Sequence, residues 1–167
     1  MTDRVPDRVT VTMAPAGDVI AFDLWSEDDA QAVCGDIASL RVEPRRWWLL
    51  GARARIDALS ATIGERGALA PIGGGLVRAT LAGPGWRELL MVAGLFDAEH
   101  PGFGPGAVAS TVLHHVPVRI AVTGEDACDV YCAASYAPSL IELWRHAIGA
   151  QSVSISPGLP VATIGTA

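Results

Sequence analysis

Four groups of residues in this 167-residue chain could carry chemistry, and the adjacent pair His114–His115 is the first. Histidine is the commonest metal ligand and also a general acid or base. On a strand, however, neighbouring side chains point to opposite faces, so these two imidazoles cannot bind one metal ion together. The sequence indicates no third ligand nearby. We therefore predict that one histidine faces the interior and that the other faces solvent.

The cysteines Cys34, Cys128 and Cys132 form the second group. Cys128 and Cys132 are four residues apart, which on a strand places them on one face but about 13 Å from each other. That distance is too long for a disulfide or for two ligands of one zinc ion. We predict reduced thiols that act as small buried hydrophobic side chains, as in a cytoplasmic protein.

The third and fourth groups are polar or glycine-rich loops. Gly73–Gly75 could cradle a phosphate, but no dinucleotide motif and no helix follow it, so we predict a hairpin turn between two strands. Asp97, Glu99 and His100 combine acid and base within the Pro- and Gly-rich segment 97–108. We favour an ordinary polar loop over a catalytic one. No catalytic, cofactor-binding or metal-binding residue is assigned.

A run of arginine and tryptophan points to a partner surface rather than to catalysis. On a strand, Arg45-Arg46-Trp47-Trp48 places one tryptophan on each face. One ring can fill the core, while the other must pack on a helix or on another chain. Tryptophan and arginine are the residues most enriched in interface hot spots. Core and interface both stay open for this run, and Trp86 and Phe103 are further interface candidates.

Composition restricts the class of protein. Half of the residues (50%) are hydrophobic, 18% are charged and the formal net charge is -6. The acidic pI of about 5.1 argues against nucleic acid, and all twelve basic residues are arginine, which excludes lysine chemistry. No apolar stretch reaches the roughly 18 residues of a transmembrane helix, and the N-terminus lacks an apolar leader. We expect a cytoplasmic protein that hides its apolar surface in its core or against a permanent partner.

Hydrophobic periodicity and turn residues predict the elements that position these groups. Strands are predicted at 9–13, 19–25, 45–50, 69–82 (with a turn at the three glycines), 110–122 and 129–133, and helices at 26–37, 53–63, 83–93 and 135–148. Ser26 is a good N-cap for the first helix. Pro117 suggests that the strand at 110–122 lies at an edge or contains a bulge. The uncharged residues 150–167 are predicted to form a C-terminal tail.

The order of these elements predicts the fold class. It is β-β-α-β-α followed by β-β-α-β-β-α, and each half ends with a hydrophobic strand and a helix that closes on Ile-Gly, at Ile63-Gly64 and Ile148-Gly149. We predict one α+β domain over residues 1–149, built from pseudo-repeats at about 8–64 and 68–149. The irregular alternation argues against a doubly wound α/β fold.

Several motifs occur in order between residues 8 and 149. They are Leu81-Ala82-Gly83-Pro84-Gly85-Trp86-Arg87-Glu88-Leu89-Leu90, Phe96-Asp97, Phe103-x-Pro105-Gly106, Thr111-x-Leu113 and Val116-Pro117-Val118, with Pro44-Arg45-Arg46-Trp47-Trp48-Leu49-Leu50-Gly51 upstream and Tyr131 and Ser135-Tyr136-Ala137-x-Ser139-Leu140 downstream. In this order and spacing they resemble the gamma subunit of heterotetrameric sarcosine oxidase.

The resemblance implies a fold similar to the folate-binding domain of the glycine-cleavage T-protein, which is a duplicated α+β unit. It implies a non-catalytic small subunit that assembles with alpha, beta and delta subunits into a complex that oxidatively demethylates a secondary amine. Such complexes serve bacterial sarcosine catabolism and one-carbon metabolism. NAD, FAD, covalent FMN and tetrahydrofolate are then expected in the partner subunits, with none bound by this chain. The chain departs from the family at Pro71–Gly75, where relatives tend to have an Asp-x-Ser-type turn, and in its uncharged tail.

Two other functions stay open at this point. One is an autonomous folate-binding one-carbon protein, in which Asp18 or Asp23 would have to act as the acidic residue that T-proteins use near their N-terminal segment. The other is an unrelated protein-interaction module. If the chain is a subunit, we expect it to self-associate or to be unstable when it is expressed alone.

Overall fold

A computed structural model of the chain describes residues 9–26, 30–92, 94 and 96–159. The strands are β1 (Thr10–Pro15), β2 (Val19–Leu24), β3 (Ser39–Glu43), β4 (Arg46–Leu50), β5 (Gly67–Pro71), β6 (Leu76–Ala82), β7 (Val108–Leu113), β8 (Val116–Gly124), β9 (Ala127–Ala133) and β10 (Val153–Ile155). The α-helices are α1 (Ala30–Cys34), α2 (Ile56–Ile63), α3 (Trp86–Val92) and α4 (Ala137–Ile148). The predicted α+β class is confirmed.

The chain divides into two compact units, which we call the small unit (16–76) and the large unit (the described residues of 1–15 and 77–167). These boundaries differ from the predicted halves, because β1 belongs to the same unit as the second half of the chain. The internal duplication of the sequence stays a prediction.

The small unit is a four-stranded antiparallel sheet in the order β3-β4-β2-β5. Its core combines side chains of the sheet with side chains of α1 and α2: Ile20, Phe22, Leu24, Cys34, Leu49, Ala52, Leu59 and Ile63. Helix α2 ends at Gly64, whose φ of 55° suits glycine, as predicted. Helix α1 ends earlier than predicted, because Gly35 adopts a φ of 58°. Residues 27–29, which follow the predicted N-cap Ser26, lie outside the described residues.

The large unit is built on a six-stranded sheet in the order β10-β1-β6-β9-β8-β7. Strand β1 alternates as predicted, with Val11 and Met13 buried and Thr10 and Thr12 facing away from the core. The core also contains Trp86, Leu89 and Leu90 of α3 and Ala137, Leu140, Ile141 and Trp144 of α4. These helix residues follow the three- and four-residue spacing of an amphipathic helix.

The first part of the predicted tail belongs to the sheet of the large unit. After α4 the chain turns at Gly149, which has a φ of 90°. Val153–Ile155 then pairs in parallel with Val11–Met13, and Val153 is 5% exposed. The amide of Ser156 continues the pairing by donating to the Met13 carbonyl at 2.8 Å. An uncharged, β-branched sequence suits this position, so the lack of charge here reflects sheet formation. Residues 160–167 lie outside the described part.

Candidate functional site

Residues 108–124 form a β-hairpin, not the single strand predicted over 110–122. Leu113 pairs with Val116, so His114 and His115 are the two residues of the turn, with φ values of 45° and 71°. Positive φ at both central residues is what a type I′ hairpin turn requires. Asn-Gly is the usual sequence for this turn, so the His-His pair does not predict a turn. The prediction of one inward and one outward histidine is wrong: both are exposed, with ring centroids 5.4 Å apart.

The hairpin also explains Pro117, which was predicted to mark an edge or a bulge. Strand β8 lies between β7 and β9 in the sheet, and Pro117 pairs with Val112 of β7. The registered pairs of β8 with β9 begin only at Arg119. Pro117 therefore lies near the end of an inner strand, outside the part of β8 that pairs with both β7 and β9. Its missing N–H does not interrupt the pairing of β8 with β9.

Helix α4 faces the hairpin turn with a polar side. Ser139, Glu142, Leu143 and His146 recur at i, i+3, i+4 and i+7, so they share one face of the helix. The opposite face is buried in the core. Between helix and turn lies a cavity of about 480 Å³, which we call the histidine groove; it is lined by His114, His115, Val116, Tyr136, Ser139, Glu142, Leu143 and His146.

The polar side chains of the histidine groove are not used by the fold. Within the described part of the chain, no side-chain hydrogen bond or ion pair involves any of the following: His114, His115, Tyr136, Ser139, Glu142 and His146. Tyr136 is 42% exposed. The described residues also contain no set of three His, Cys, Asp or Glu side chains arranged to hold a metal ion. The groove is therefore a concave surface of uncommitted donors and acceptors, and it is not a preformed metal centre.

A second hairpin, between β3 and β4, also turns through a residue with positive φ. Arg45 follows Pro44 and has a φ of 62°. Its guanidinium donates to the Trp25 carbonyl at 2.8 Å, and its own carbonyl accepts from the amide of Leu24 at 3.0 Å. We call this region the arginine tip; it is lined by Asp23, Leu24, Trp25, Glu43, Pro44, Arg45 and Arg46 around a cavity of about 240 Å³.

Ion pairs hold the arginine tip together. Nε and Nη2 of Arg46 donate to the two carboxylate oxygens of Asp23, at 2.6 and 3.0 Å, and Nη1 donates to Glu43 at 3.1 Å. The hydrogen bond that Arg46 donates to Asp23 is the main reason why the pKa of Arg46 is raised above its ordinary value. Polar groups at this tip are thus largely committed to one another.

The six interface candidates fall into two groups. Trp86 and Phe103 are buried in the core of the large unit, with ring centroids 6.0 Å apart, and Trp48 is 9% exposed in the small unit. Arg45 and Arg46 are exposed, and Trp47 is partly buried against Phe22, 5.7 Å away. Of the two adjacent tryptophans Trp47 and Trp48, Trp47 therefore packs against the core of the small unit.

Arg87 organises the long loop before β7. Its Nη1 donates to the Phe103 carbonyl at 2.8 Å and also to the Ala98 carbonyl, while its guanidinium carbon lies 4.3 Å from the ring centroid of Trp86. The sequence does not predict this role of Arg87, because nothing near it in the chain indicates which loop carbonyls its side chain reaches.

The suspected acid–base loop residues are used for local turns. The Asp97 carboxylate accepts from the amide of Glu99 at 3.0 Å, and Nδ1 of His100 accepts from the amide of Gly102 at 3.1 Å. These contacts support the prediction of an ordinary polar loop.

The cysteines are buried, as predicted. Cys34, Cys128 and Cys132 are free thiols with 2%, 0% and 3% exposure. Burial raises the pKa of all three, that of Cys132 to about 11. They are therefore protonated at neutral pH and unsuited to nucleophilic attack or metal binding.

The glycine triplet forms a 3₁₀ turn, and the predicted hairpin is wrong, because the two flanking strands do not pair with each other. Strand β5 pairs with β2, whereas β6 pairs with β1. A Cβ on Gly73 would lie 1.9 Å from the Gly17 carbonyl oxygen, so glycine is needed for close backbone packing. This steric requirement accounts for the first glycine of the triplet without a phosphate ligand.

Comparison with known proteins identifies the fold. No protein-family model and no curated sequence matches the chain. Among solved structures, a chain of the heterotetrameric sarcosine oxidase from Corynebacterium sp. U-96, solved in complex with pyrrole 2-carboxylate, superposes with a TM-score of 0.75 at 19% identity, covering 89% of each chain. Aminomethyltransferase T of the glycine cleavage system from Bartonella henselae superposes with a TM-score of 0.61 at 15% identity, covering 90% of this chain but 48% of that one.

The chain therefore has the fold of a sarcosine oxidase subunit. At these identities the likeness establishes the fold alone, which is also that of about half of the aminomethyltransferase. None of the helices in the described segments is long and apolar enough to cross a bilayer.

Proposed function

We propose that this chain is the gamma-type subunit of a cytoplasmic, heterotetrameric, flavin-dependent complex that oxidatively demethylates a secondary amine, and that it supports its alpha, beta and delta partners without performing the chemistry. FAD, FMN, NAD and tetrahydrofolate would be bound by those partners. The observation that carries the proposal is the superposition on a sarcosine oxidase chain over 89% of both chains. Equal coverage means that the two chains are similar in length, as expected of equivalent subunits.

The positions of the motif residues support a structural role. Trp86 and Phe103 belong to the family motifs and lie in the core of the large unit. Phe96 contacts Phe103 edge to face, with centroids 4.9 Å apart, and Arg87 fixes the loop between them. These motif residues of the large unit thus specify packing. Their presence in this sequence is explained by the fold, with no need for a shared reaction centre.

The arginine tip is the surface that we assign to a partner subunit. Arg45 and Arg46 are exposed there, Trp25 lines the same tip and is 58% exposed, and the partly buried Trp47 is the next residue along β4. The Trp25 backbone is held on both sides, because its amide donates to the Arg66 carbonyl at 2.9 Å and its carbonyl accepts from Arg45. An indole on a fixed backbone loses little conformational entropy on binding and suits an interface anchor.

The test is isolation of the tagged full chain from its native host, followed by gel electrophoresis and a visible spectrum. We expect three co-purifying polypeptides and flavin absorption bands, and a screen of secondary amines would then identify the substrate. A colourless eluate that contains this chain alone would contradict the proposal.

The interface is tested in the same experiment with charge-reversal variants. Arg45→Glu should reduce recovery of the partners. The matched control is Arg53→Glu, because Arg53 is exposed in the same unit and its side chain forms no hydrogen bond or ion pair with described residues. Equal recovery with both variants would reject the arginine tip as the interface while leaving the assignment of the complex intact.

A second candidate function follows from the aminomethyltransferase superposition. The chain corresponds to 48% of that enzyme, so an autonomous folate-binding protein on half of that fold is the alternative. Titration with tetrahydrofolate, followed by the fluorescence of the five tryptophans and by calorimetry, decides between them. Saturable binding by the isolated chain would favour the alternative, and no change in either signal would reject it.

A further inference from the structure

We propose that the histidine groove binds a small zwitterion whose ammonium and carboxylate groups are separated by a short aliphatic spacer. The proposal concerns a site in the large unit and does not depend on the assignment to a flavin-dependent complex. It rests on the shape of the groove, on the charges that line it and on the absence of internal partners for them among the described residues.

Helix α4 places a hydrogen-bond acceptor and a hydrogen-bond donor in the groove at a defined spacing. Glu142 offers a carboxylate and His146, one turn further along the same face of α4, offers an imidazole. Four residues of α-helix advance by about 6 Å. A ligand that reaches both groups must therefore have its own charges several bonds apart. An α-amino acid, in which the two charges are adjacent, fits this spacing poorly.

The hairpin turn supplies further donors for the carboxylate end. His114 and His115 border the groove, and each can donate a hydrogen bond to an anion. The hydroxyls of Ser139 and Tyr136 are neutral donors in the same cavity, while Leu143 supplies apolar surface for a spacer. The titratable groups that face the cavity are thus three histidines, one glutamate and one tyrosine.

The backbone of the turn adds a second, independent observation. A non-glycine residue in the left-handed region is energetically unfavourable, and the turn has two in succession, at φ values of 45° and 71°. No hydrogen bond or ion pair of either imidazole to a described residue offsets that cost. Unfavourable backbone conformations of this kind cluster at ligand-binding sites, where side-chain placement outweighs local stability.

The ligand is defined by a series of probes. Nuclear magnetic resonance of the full chain with ¹³C-labelled histidine reports all four histidines of the sequence, and γ-aminobutyrate is titrated at constant pH. The signals of His114, His115 and His146 should shift saturably. His100 is the internal control, because its Nδ1 is engaged within the loop by the amide of Gly102.

Analogues separate the two recognition elements. Butyrate lacks the ammonium group, butylamine lacks the carboxylate, and glycine lacks the spacer; each should bind about tenfold more weakly than γ-aminobutyrate, which corresponds to ~1.4 kcal/mol. Equal shifts with butyrate and γ-aminobutyrate would overturn the zwitterion assignment. Shifts of His100 as large as those of the other histidines would reject the site.

Variants assign each end of the ligand. Glu142→Gln should weaken γ-aminobutyrate about tenfold while leaving butyrate unchanged, and His146→Gln should weaken butyrate while leaving butylamine unchanged. Arg145→Gln is the matched control, since Arg145 is exposed on the same helix but does not line the groove. If Glu142→Gln reduces γ-aminobutyrate and butyrate equally, Glu142 does not recognise the ammonium group and the proposal fails. The ligand series on the unaltered chain decides the matter even if a variant does not fold.

Discussion

Two hairpin turns of this protein contain non-glycine residues with positive φ and use them for different ends. Arg45 at the arginine tip and His114 and His115 at the histidine groove are the non-glycine residues with positive φ in the described chain. At the arginine tip, the guanidinium of Arg45 binds the Trp25 carbonyl and the adjacent Arg46 binds two carboxylates. At the histidine groove, the imidazoles contact each other and form no hydrogen bond within the described residues.

The difference shows how to distinguish a structural residue from a binding residue when the chemistry of both is polar. Where contacts within the chain offset the strain, folding accounts for the conformation of the turn, and an exposed surface such as the arginine tip can still contact a partner. Where no contact within the chain offsets the backbone strain, the side chains are available to bind a ligand. The four predictions below test this contrast between committed and uncommitted polar groups, beginning with the largest expected effect.

The same contrast occurs between two buried tryptophans of the large unit. Trp86 and Trp144 are 1% and 0% exposed, but Nε1 of Trp86 donates to the Glu125 carbonyl at 3.0 Å, whereas Nε1 of Trp144 has no partner among the described residues. Trp86→Phe should cost about 3 kcal/mol, because it loses ring volume and a hydrogen bond. Trp144→Phe should cost about 1 kcal/mol, since removal of an unsatisfied N–H offsets part of the lost packing.

Urea unfolding of the two variants, followed by circular dichroism, measures these costs. Each is the other's control, because the substitution and the burial are the same. Equal destabilisation would mean that the Trp86 hydrogen bond adds nothing to stability or that Trp144 has an unrecognised partner.

The turn of the histidine groove should become more stable when its histidines are removed. His114→Asn combined with His115→Gly installs the residues preferred in type I′ turns and should relieve about 2 kcal/mol of backbone strain. For a chain of this size the melting temperature should rise by roughly 4–8 °C. Thermal unfolding measures the rise, and the γ-aminobutyrate titration should show loss of binding in the same variant. A fall in melting temperature would mean that the imidazoles contribute to the fold.

Much of the fold followed from local sequence patterns. The alternation of Val11 and Met13 predicted β1, and glycines at 64 and 149 correctly ended α2 and α4. The prediction failed where pairing depends on distant residues. Val153–Ile155 forms a strand only because Val11–Met13 lies beside it, and no local pattern contains that information.

The candidate site was harder to predict than the fold. The sequence predicts a strand at His114–His115, because histidine is uncommon in two-residue turns. Ser139, Glu142 and His146 look like the ordinary solvent face of an amphipathic helix. What makes them a site is a hairpin turn more than twenty residues away in the sequence. Only the tertiary structure brings these two parts together.

Removing a committed charge at the arginine tip should have a moderate effect. Asp23→Asn breaks the paired hydrogen bonds to Arg46 and should cost about 1 kcal/mol, a value kept small by the partial exposure of both side chains, 44% and 26%. The loss should shrink as sodium chloride is raised. Glu142→Gln in the histidine groove is the control and should not change the free energy of unfolding. If the two variants are equally stable, the contrast between the two surfaces does not hold.

The smallest change in the free energy of unfolding is expected for Arg45→Gly, and a change near zero is the result that supports the contrast. Glycine relieves about 1 kcal/mol of strain at a φ of 62°, but it also removes the hydrogen bond to the Trp25 carbonyl, which contributes about 1 kcal/mol. The two changes should nearly cancel in the free energy of unfolding. A clear gain, like that expected for the histidine turn, would show that the Arg45 contact does not offset its strain, and the energetic contrast between the two turns would then fail.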